Sequence, residues 1–273
     1  MEKRICTIER NSPVAPGCLR MSLTAEESLL HRCGQFVEVA VPGQYLRRPV
    51  SVSLSEEGRL TLLYKVVGKG TAALAALKPG DKLDLLTGLG NGFDSGACRG
   101  KALLVGGGIG VAPLLQLCRD LRAAGREVSA ILGFNTAAEI LLREELEALG
   151  ARVTVATMDG SAGIRGLVTD ALQEAGGDYD QAYVCGPMPM MRALYPLLPG
   201  ASEFSLEERM GCGTGLCFGC TVQTTEGPRR ICHDGPVFKK TQLPWLMLFL
   251  SSSRESASRI RSFRPGAHSG SAM

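Results

Sequence analysis

Four cysteines crowd into one stretch of this 273-residue chain: Cys212, Cys217, Cys220 and, after eleven further residues, Cys232. Thiolates are soft ligands, and C-x4-C-x2-C followed by a distant fourth cysteine is a [2Fe–2S] ligand spacing. Wrapping two irons in four sulfurs demands a tight loop. Gly211, Gly213, Gly215 and Gly219 suit that need, because glycine permits positive φ and lets amides approach sulfur. A structural zinc site and a chance cluster are the alternatives. Zinc usually takes paired knuckles, whereas only one CxxC stands here and His233 directly adjoins a cysteine. The other six cysteines (6, 18, 33, 98, 118 and 185) are scattered singly.

Four more segments have chemistry in them. In Arg48-Pro49-Val50-Ser51 a guanidinium precedes a strand-like run and could make paired bonds to phosphate; an exposed surface Arg is the plain alternative. Leu63-Tyr64-Lys65 leads into Gly68-Lys69-Gly70-Thr71, where a helix start would offer amides and a hydroxyl to phosphate. Tyr64 could equally be a core residue. In Gly106-Gly107-Gly108-Ile109-Gly110-Val111-Ala112-Pro113 a glycine loop lies between a strand and a helix, as a pyrophosphate site requires. It departs from GxGxxG, since Pro113 occupies the third glycine position and no clear acid closes the second strand. A simple tight turn is the alternative. Cys185-Gly186-Pro187-Met188 follows another strand-like run, with Cys185 read as a small pocket residue or a buried hydrophobe. After Phe134-Asn135-Thr136 no Arg or Lys comes before Arg143, which favours NAD over NADP.

The elements that must position these residues fall into blocks. Residues 1–98 hold short Val- and Leu-rich runs (36–41, 50–54, 60–67 and 82–86) between Gly/Pro/Asp signals, the pattern of a barrel or sandwich. From residue 99 the pattern alternates: strand 102–105, helix 113–124, strand 128–134, helix 138–149, strand 153–157, helix 168–174, strand 182–185. Alternation predicts a parallel sheet with crossover helices over 99–200. Residues 201–240 form the cysteine-rich segment. Residues 241–273 contain Arg254, Arg259, Arg261 and Arg264 against Glu255 alone, and read as a solvated, disordered tail. That tail accounts for the whole net charge of +3, so the folded body has no nucleic-acid footprint. The apolar run Leu243–Leu250 is too short to span a membrane. The charged start MEKRICTIERN and the single cysteines lead us to expect a reducing cytoplasm.

Taken together, RPVS, LYK…GKGT, GGGIGVAP and CGPM resemble the segments of the ferredoxin reductase-like flavoproteins. The resemblance implies a β-barrel FAD domain, an α/β parallel-sheet NAD domain and a small C-terminal [2Fe–2S] subdomain. It places Arg48, Pro49, Val50, Ser51, Leu63, Tyr64, Lys65, Gly70 and Thr71 on FAD. Gly107, Gly108, Gly110, Pro113, Cys185, Gly186 and Pro187 go to NAD, and the four cysteines to iron. Glu208-Arg209-Met210-Gly211-Cys212-Gly213 and Cys232-His233-Asp234-Gly235-Pro236-Val237-Phe238 are similar to the electron transfer subunits of type B dihydroorotate dehydrogenase. In the related small subunit of NADH-dependent ferredoxin:NADP oxidoreductase the first ligand is Asp, so Cys212 favours the dihydroorotate family. Membership implies an FMN-containing catalytic partner subunit, in a heterotetramer with two copies of each. A reductase serving another redox partner and a redox-sensing module without turnover are the other readings.

Overall fold

The computed structural model describes residues 1–25 and 31–245. The first six strands are β1 (Glu2–Ala15), β2 (Cys18–Thr24), β3 (Phe36–Val39), β4 (Arg48–Glu56), β5 (Arg59–Lys65) and β6 (Lys82–Leu89), with helix α1 (Lys69–Ala76) between the last two. They close into a barrel in the order β1-β2-β5-β4-β3-β6, which leaves no free edge. Alternate side chains fill its interior, among them Ile8, Met21, Val37, Val52, Leu62 and Leu85. Asn11 fixes the end of α1 to the wall, donating through Nδ2 to Leu74 O (2.9 Å) and Leu77 O (3.1 Å).

The remaining strands are β7 (Lys101–Gly107), β8 (Glu127–Phe134), β9 (Arg152–Thr157), β10 (Ile164–Arg165), β11 (Gln181–Cys185), β12 (Ser202–Ser205), β13 (Thr221–Thr224), β14 (Gly227–Arg230) and β15 (Val237–Lys239). Helices α2 (Leu114–Ala123), α3 (Arg143–Ala148), α4 (Val168–Ala175), α5 (Met188–Leu194) and α6 (Ile231–Asp234) lie among them. Seven strands form one sheet in the order β10-β9-β8-β7-β11-β12-β15, parallel except at β15. The chain leaves β7 in one direction through β8 and β9, and returns to β11 on β7's other side. That reversal opens a crevice at the carboxyl ends of β7 and β11, where open α/β sheets bind ligands.

The helix following the glycine loop is tied to the barrel. From α2, Gln116 Nε2 donates to His31 O (2.7 Å) and Arg119 Nη2 to Ser55 O (2.8 Å). Arg20 of β2 pairs with Glu145 of α3.

Three elements differ from the sequence expectation. The helix expected over 138–149 begins only at Arg143, because Leu142 adopts φ +61° and breaks the run. Residues 201–240 are not separate from the sheet, since β12 and β15 extend it. The packed chain also continues past residue 240: Leu243 and Trp245 are buried, with the Trp245 ring edge-on to Tyr195 and Phe204. The rest of the expected tail lies outside the described residues.

Candidate functional site

A cleft of about 300 Å³ opens where barrel, sheet and cysteine loop meet. From the barrel it is lined by Pro49, Val50, Ser51, Leu63, Tyr64, Lys65 and Thr71. Ile109 and Ala112 of the glycine loop form a second wall, and Ser205–Glu208 with Met210 a third. Tyr64 is locked in place, its hydroxyl donating to Asn11 Oδ1 (2.9 Å). Arg48 stands apart from the cleft wall, with Nη1 donating to Leu46 O (2.6 Å) and Nη2 to Gln44 Oε1 (3.2 Å). Its guanidinium lies directly over Gly70, where any Cβ would collide with it. A cation thus sits at the amino end of α1, the arrangement that favours phosphate. The Thr71 hydroxyl is occupied: it accepts from Val67 N (2.9 Å) and Gly68 N (3.2 Å), capping its own helix.

The glycine loop and the CGP loop press against each other. A Cβ on Gly110 would stand 2.6 Å from Gly186 Cα and 2.7 Å from Cys185 O. One on Gly107 would stand 3.0 Å from Pro187 Cδ. Gly108 has φ +54°, a left-handed conformation, and Pro113 immediately precedes α2. Cys185 is fully enclosed. Burial first, then the nearby Glu207 carboxyl, pushes its thiol well above the usual range, and Ser205 is its hydrogen-bond neighbour. Neighbouring protein atoms also raise the Glu207 carboxyl, although its side chain is exposed. A buried, protonated thiol is no nucleophile, and Cys185 is not among the residues that line the cleft.

The four cluster-loop thiols stand in two pairs. Cys217 N donates to Cys212 Sγ (3.4 Å), and Cys232 N to Cys220 Sγ (3.4 Å). Gly219 N reaches Cys217 Sγ at 3.5 Å. Cys212 is half-buried and Cys217 exposed, whereas Cys220 and Cys232 are buried. Burial opposes ionisation of Cys212, yet hydrogen bonds from Thr214 and Cys217 outweigh it and bring the thiol down to about 6. Among the described residues no three His, Cys, Asp or Glu side chains converge as for a single ion. A [2Fe–2S] cluster asks instead for two thiolates on each of two irons, and this donor set fits it.

Several residues that hold the site were not picked out from sequence. Arg230 donates from its backbone N (2.7 Å) and Nε (3.1 Å) to Asp234 Oδ2, and from Nη1 to Gly215 O (3.0 Å). Its guanidinium also covers the Phe218 ring, so one side chain clamps the loop to α6. The Asp234 carboxyl is held well below the usual range, chiefly by Arg230. Glu38 of β3 reaches under the loop, where a Cβ on Gly213 would collide with its carboxyl. Burial raises that carboxyl to about 7, with Arg47 opposing. Glu139, in the short turn 137–139 beyond β8, accepts at Oε2 from Asn135 Nδ2 (2.8 Å), which brings an acid near that strand's end although none closes the strand itself.

Comparisons with known proteins agree with this geometry. Residues 207–244 match the family described as the iron-sulfur cluster binding domain of dihydroorotate dehydrogenase B. Residues 104–195 match the oxidoreductase NAD-binding domain. A dihydroorotate dehydrogenase B (NAD(+)) electron transfer subunit from Bacillus caldolyticus is 45% identical over 217 residues, 76% of this chain and 84% of the relative. One from Geobacillus sp. (strain WCH70) is 40% identical over 253 residues, 88% of this chain and 97% of its own. Among solved structures, a chain of the NADH-dependent reduced ferredoxin-NADP oxidoreductase superposes with TM-score 0.80 at 29% identity, covering 94% of this chain and 98% of that one. An Amycolatopsis cytochrome P450 reductase shares the fold at TM-score 0.66 and 24% identity, over 74% of this chain and 69% of its own.

Proposed function

The chain belongs to the family of dihydroorotate dehydrogenase B (NAD(+)) electron transfer subunits, and from there we propose that it passes electrons from the FMN of a catalytic partner subunit, through a [2Fe–2S] centre and FAD, to NAD+ in pyrimidine biosynthesis. The observation that carries this reading is the three-walled cleft: barrel, glycine loop and the segment entering Cys212 share one cavity. When bound, the cluster supplies one-electron transfer and the flavin links it to hydride exchange with nicotinamide.

The chain's own residues bind and orient. Arg48 and the α1 amides at Gly70 and Thr71 take the flavin phosphates; Thr71's hydroxyl holds the helix start in shape. Pro49, Val50, Ser51, Leu63, Tyr64 and Lys65 border the flavin ring. Gly107, Gly108, Gly110 and Pro113 let the NAD pyrophosphate approach the backbone, and Cys185, Gly186 and Pro187 floor the nicotinamide site. Cys212, Cys217, Cys220 and Cys232 ligate iron. No residue here is assigned to dihydroorotate, whose site lies on the partner.

We divide the chain into a flavin barrel (1–98), an NAD domain (99–200) and a cluster segment (201–240) that lends β12 and β15 to the NAD sheet. The assembly is a heterotetramer of two copies of each subunit. Ten cysteines with no disulfide among them, four of them assigned to iron, support a cytoplasmic setting. Among the described residues no helix is long and apolar enough to cross a membrane.

Co-expression with an FMN-containing dihydroorotate oxidase tests the reading. The expected result is a co-purifying complex with flavin, iron and dihydroorotate-driven NADH formation. Two chains that do not associate, or a complex that forms no NADH, would overturn it.

A further inference from the structure

Two stretches of chain join the cluster ligands to the flavin cleft. Met210 lines the cleft two residues before Cys212, and Pro236 lines it four residues after Cys232. They start from different sides of the ligand set. Cys212 is half-buried beside exposed Cys217, whereas Cys232 is buried with Cys220. The stretch from Cys232 to Pro236 therefore runs from the inner thiol pair to the cleft. Leu206, another cleft residue, donates from its N to Pro236 O (2.9 Å).

That inner stretch is bonded directly to the barrel by Asn91, two residues beyond β6. Asn91 N donates to Gly235 O (2.8 Å). Its side chain grips the same segment three more times. Nδ2 donates to Asp234 O (3.2 Å) and Val237 O (2.8 Å), and Oδ1 accepts from Val237 N (3.1 Å). Both amide hydrogens and the side-chain oxygen are thus engaged on one partner segment. Gly90 lets the two backbones close: its φ is +75°, and a Cβ there would stand 2.5 Å from Pro236 Cδ and 3.0 Å from Gly235 O. On the barrel side the bonds continue. Gln35 Nε2 donates to Gly90 O (2.8 Å), and Val52 N of β4 donates to Gln35 O (3.0 Å). Strand β4 carries Pro49, Val50 and Ser51 along the cleft. A contiguous network therefore runs from the flavin wall through Gln35, Gly90 and Asn91 to the segment that begins at Cys232.

We infer that Asn91 is a positioning residue for electron transfer, fixing the Cys232–Pro236 segment, and with it the inner cluster ligands, at a set separation from the flavin wall. Asn91 does not line the cleft and acts through the backbone it holds. Electron tunnelling falls off exponentially with separation, so a small displacement of this segment appears directly as a slower transfer. An asparagine that only stapled the fold would affect iron content or unfolding and leave the transfer step alone. The inference rests on the function proposed above and names a residue that sets the rate of one step in it.

The test uses the full chain carrying its flavin and cluster, without oxygen and without NADH. A photogenerated deazaflavin radical gives one electron to the oxidised flavin, and passage of that electron to the oxidised cluster is followed by absorbance. Iron content and the reduction potentials of both groups are measured on the same samples. Asn91→Ala removes all three side-chain bonds. Asn91→Asp keeps the size and the acceptor for Val237 N, but turns an oxygen toward the carbonyls of Asp234 and Val237. Both variants should slow the flavin-to-cluster step several-fold, with iron content and both potentials as in wild type. Unchanged potentials beside a slower step point to separation rather than driving force. A wild-type transfer rate in both variants would overturn the inference. Loss of iron from a variant, with a wild-type rate in the molecules that keep it, would assign Asn91 to the fold alone and overturn it equally. A wild type in which the electron never reaches the cluster would overturn the function proposed above, and this inference with it.

Discussion

Two glycine-rich loops face the same cleft and are built on opposite plans. The loop from Gly106 to Pro113 is pinned by backbone: it joins a central parallel strand to a helix bolted to the barrel, and the CGP loop leaves no room for a Cβ at Gly110. The loop from Glu207 to Cys220 contains no helix or strand beyond β12. It is held by side chains, with Arg230 and Asp234 above and Glu38 below. Leu216 and Phe218 stay exposed on it, although Phe218 takes a left-handed φ of +58°. The first loop's shape comes from the fold. The second, on the ligand assignment proposed above, is a frame for a cluster, and its integrity should then depend on that group.

Substitutions in the two loops should behave differently. The largest effect is expected at the buried thiol pair: Cys232→Ser should abolish the cluster, leaving iron near zero by colorimetric assay while the flavin remains. Retention of both irons would contradict the ligand assignment. On the rigid loop, Gly110→Ala forces backbone apart at the CGP contact. Flavin reduction by NADH should slow by about a hundredfold, the scale for misplacing a reactant by an ångström, with iron content unchanged. Gly213→Ala probes the other loop, where positive φ and the Glu38 carboxyl both resist a side chain. The cluster should be lost several-fold faster on dilution, as followed by visible absorption, and NADH should still reduce the flavin at the wild-type rate. The smallest effect belongs to Tyr64→Phe. Losing the bond to Asn11 should cost about 1 kcal/mol in denaturant unfolding, with the flavin retained.

The same contrast explains what could be read from sequence. Ligand spacing, the glycine loop and CGP are local patterns, so the segments Cys212 to Cys232, Gly107 to Pro113 and Cys185 to Pro187 can be singled out as candidates without a fold. Their supports come from far along the chain. Glu38 meets Gly213 only because β3 closes the barrel beside the cluster loop, and no spacing encodes that contact. Ser161 Oγ accepts from Ala137 N (2.7 Å) only once β8 and β9 pair in parallel. The Leu142 break in the expected helix depends on one backbone dihedral that an apolar periodicity does not register. The segment after residue 240 looked polar and unstructured on average, yet Trp245 finds a pocket against Tyr195 and Phe204.

On the function proposed above, flavin, NAD and cluster sites share one electron path through this cleft. Anaerobic addition of NADH to the purified full chain, followed together by flavin absorption and by electron paramagnetic resonance of the cluster, tests it most directly. The flavin should bleach in wild type and in Cys232→Ser, and a reduced [2Fe–2S] signal should then appear in wild type alone. A flavin that bleaches in wild type beside a cluster that never gains an electron would contradict it.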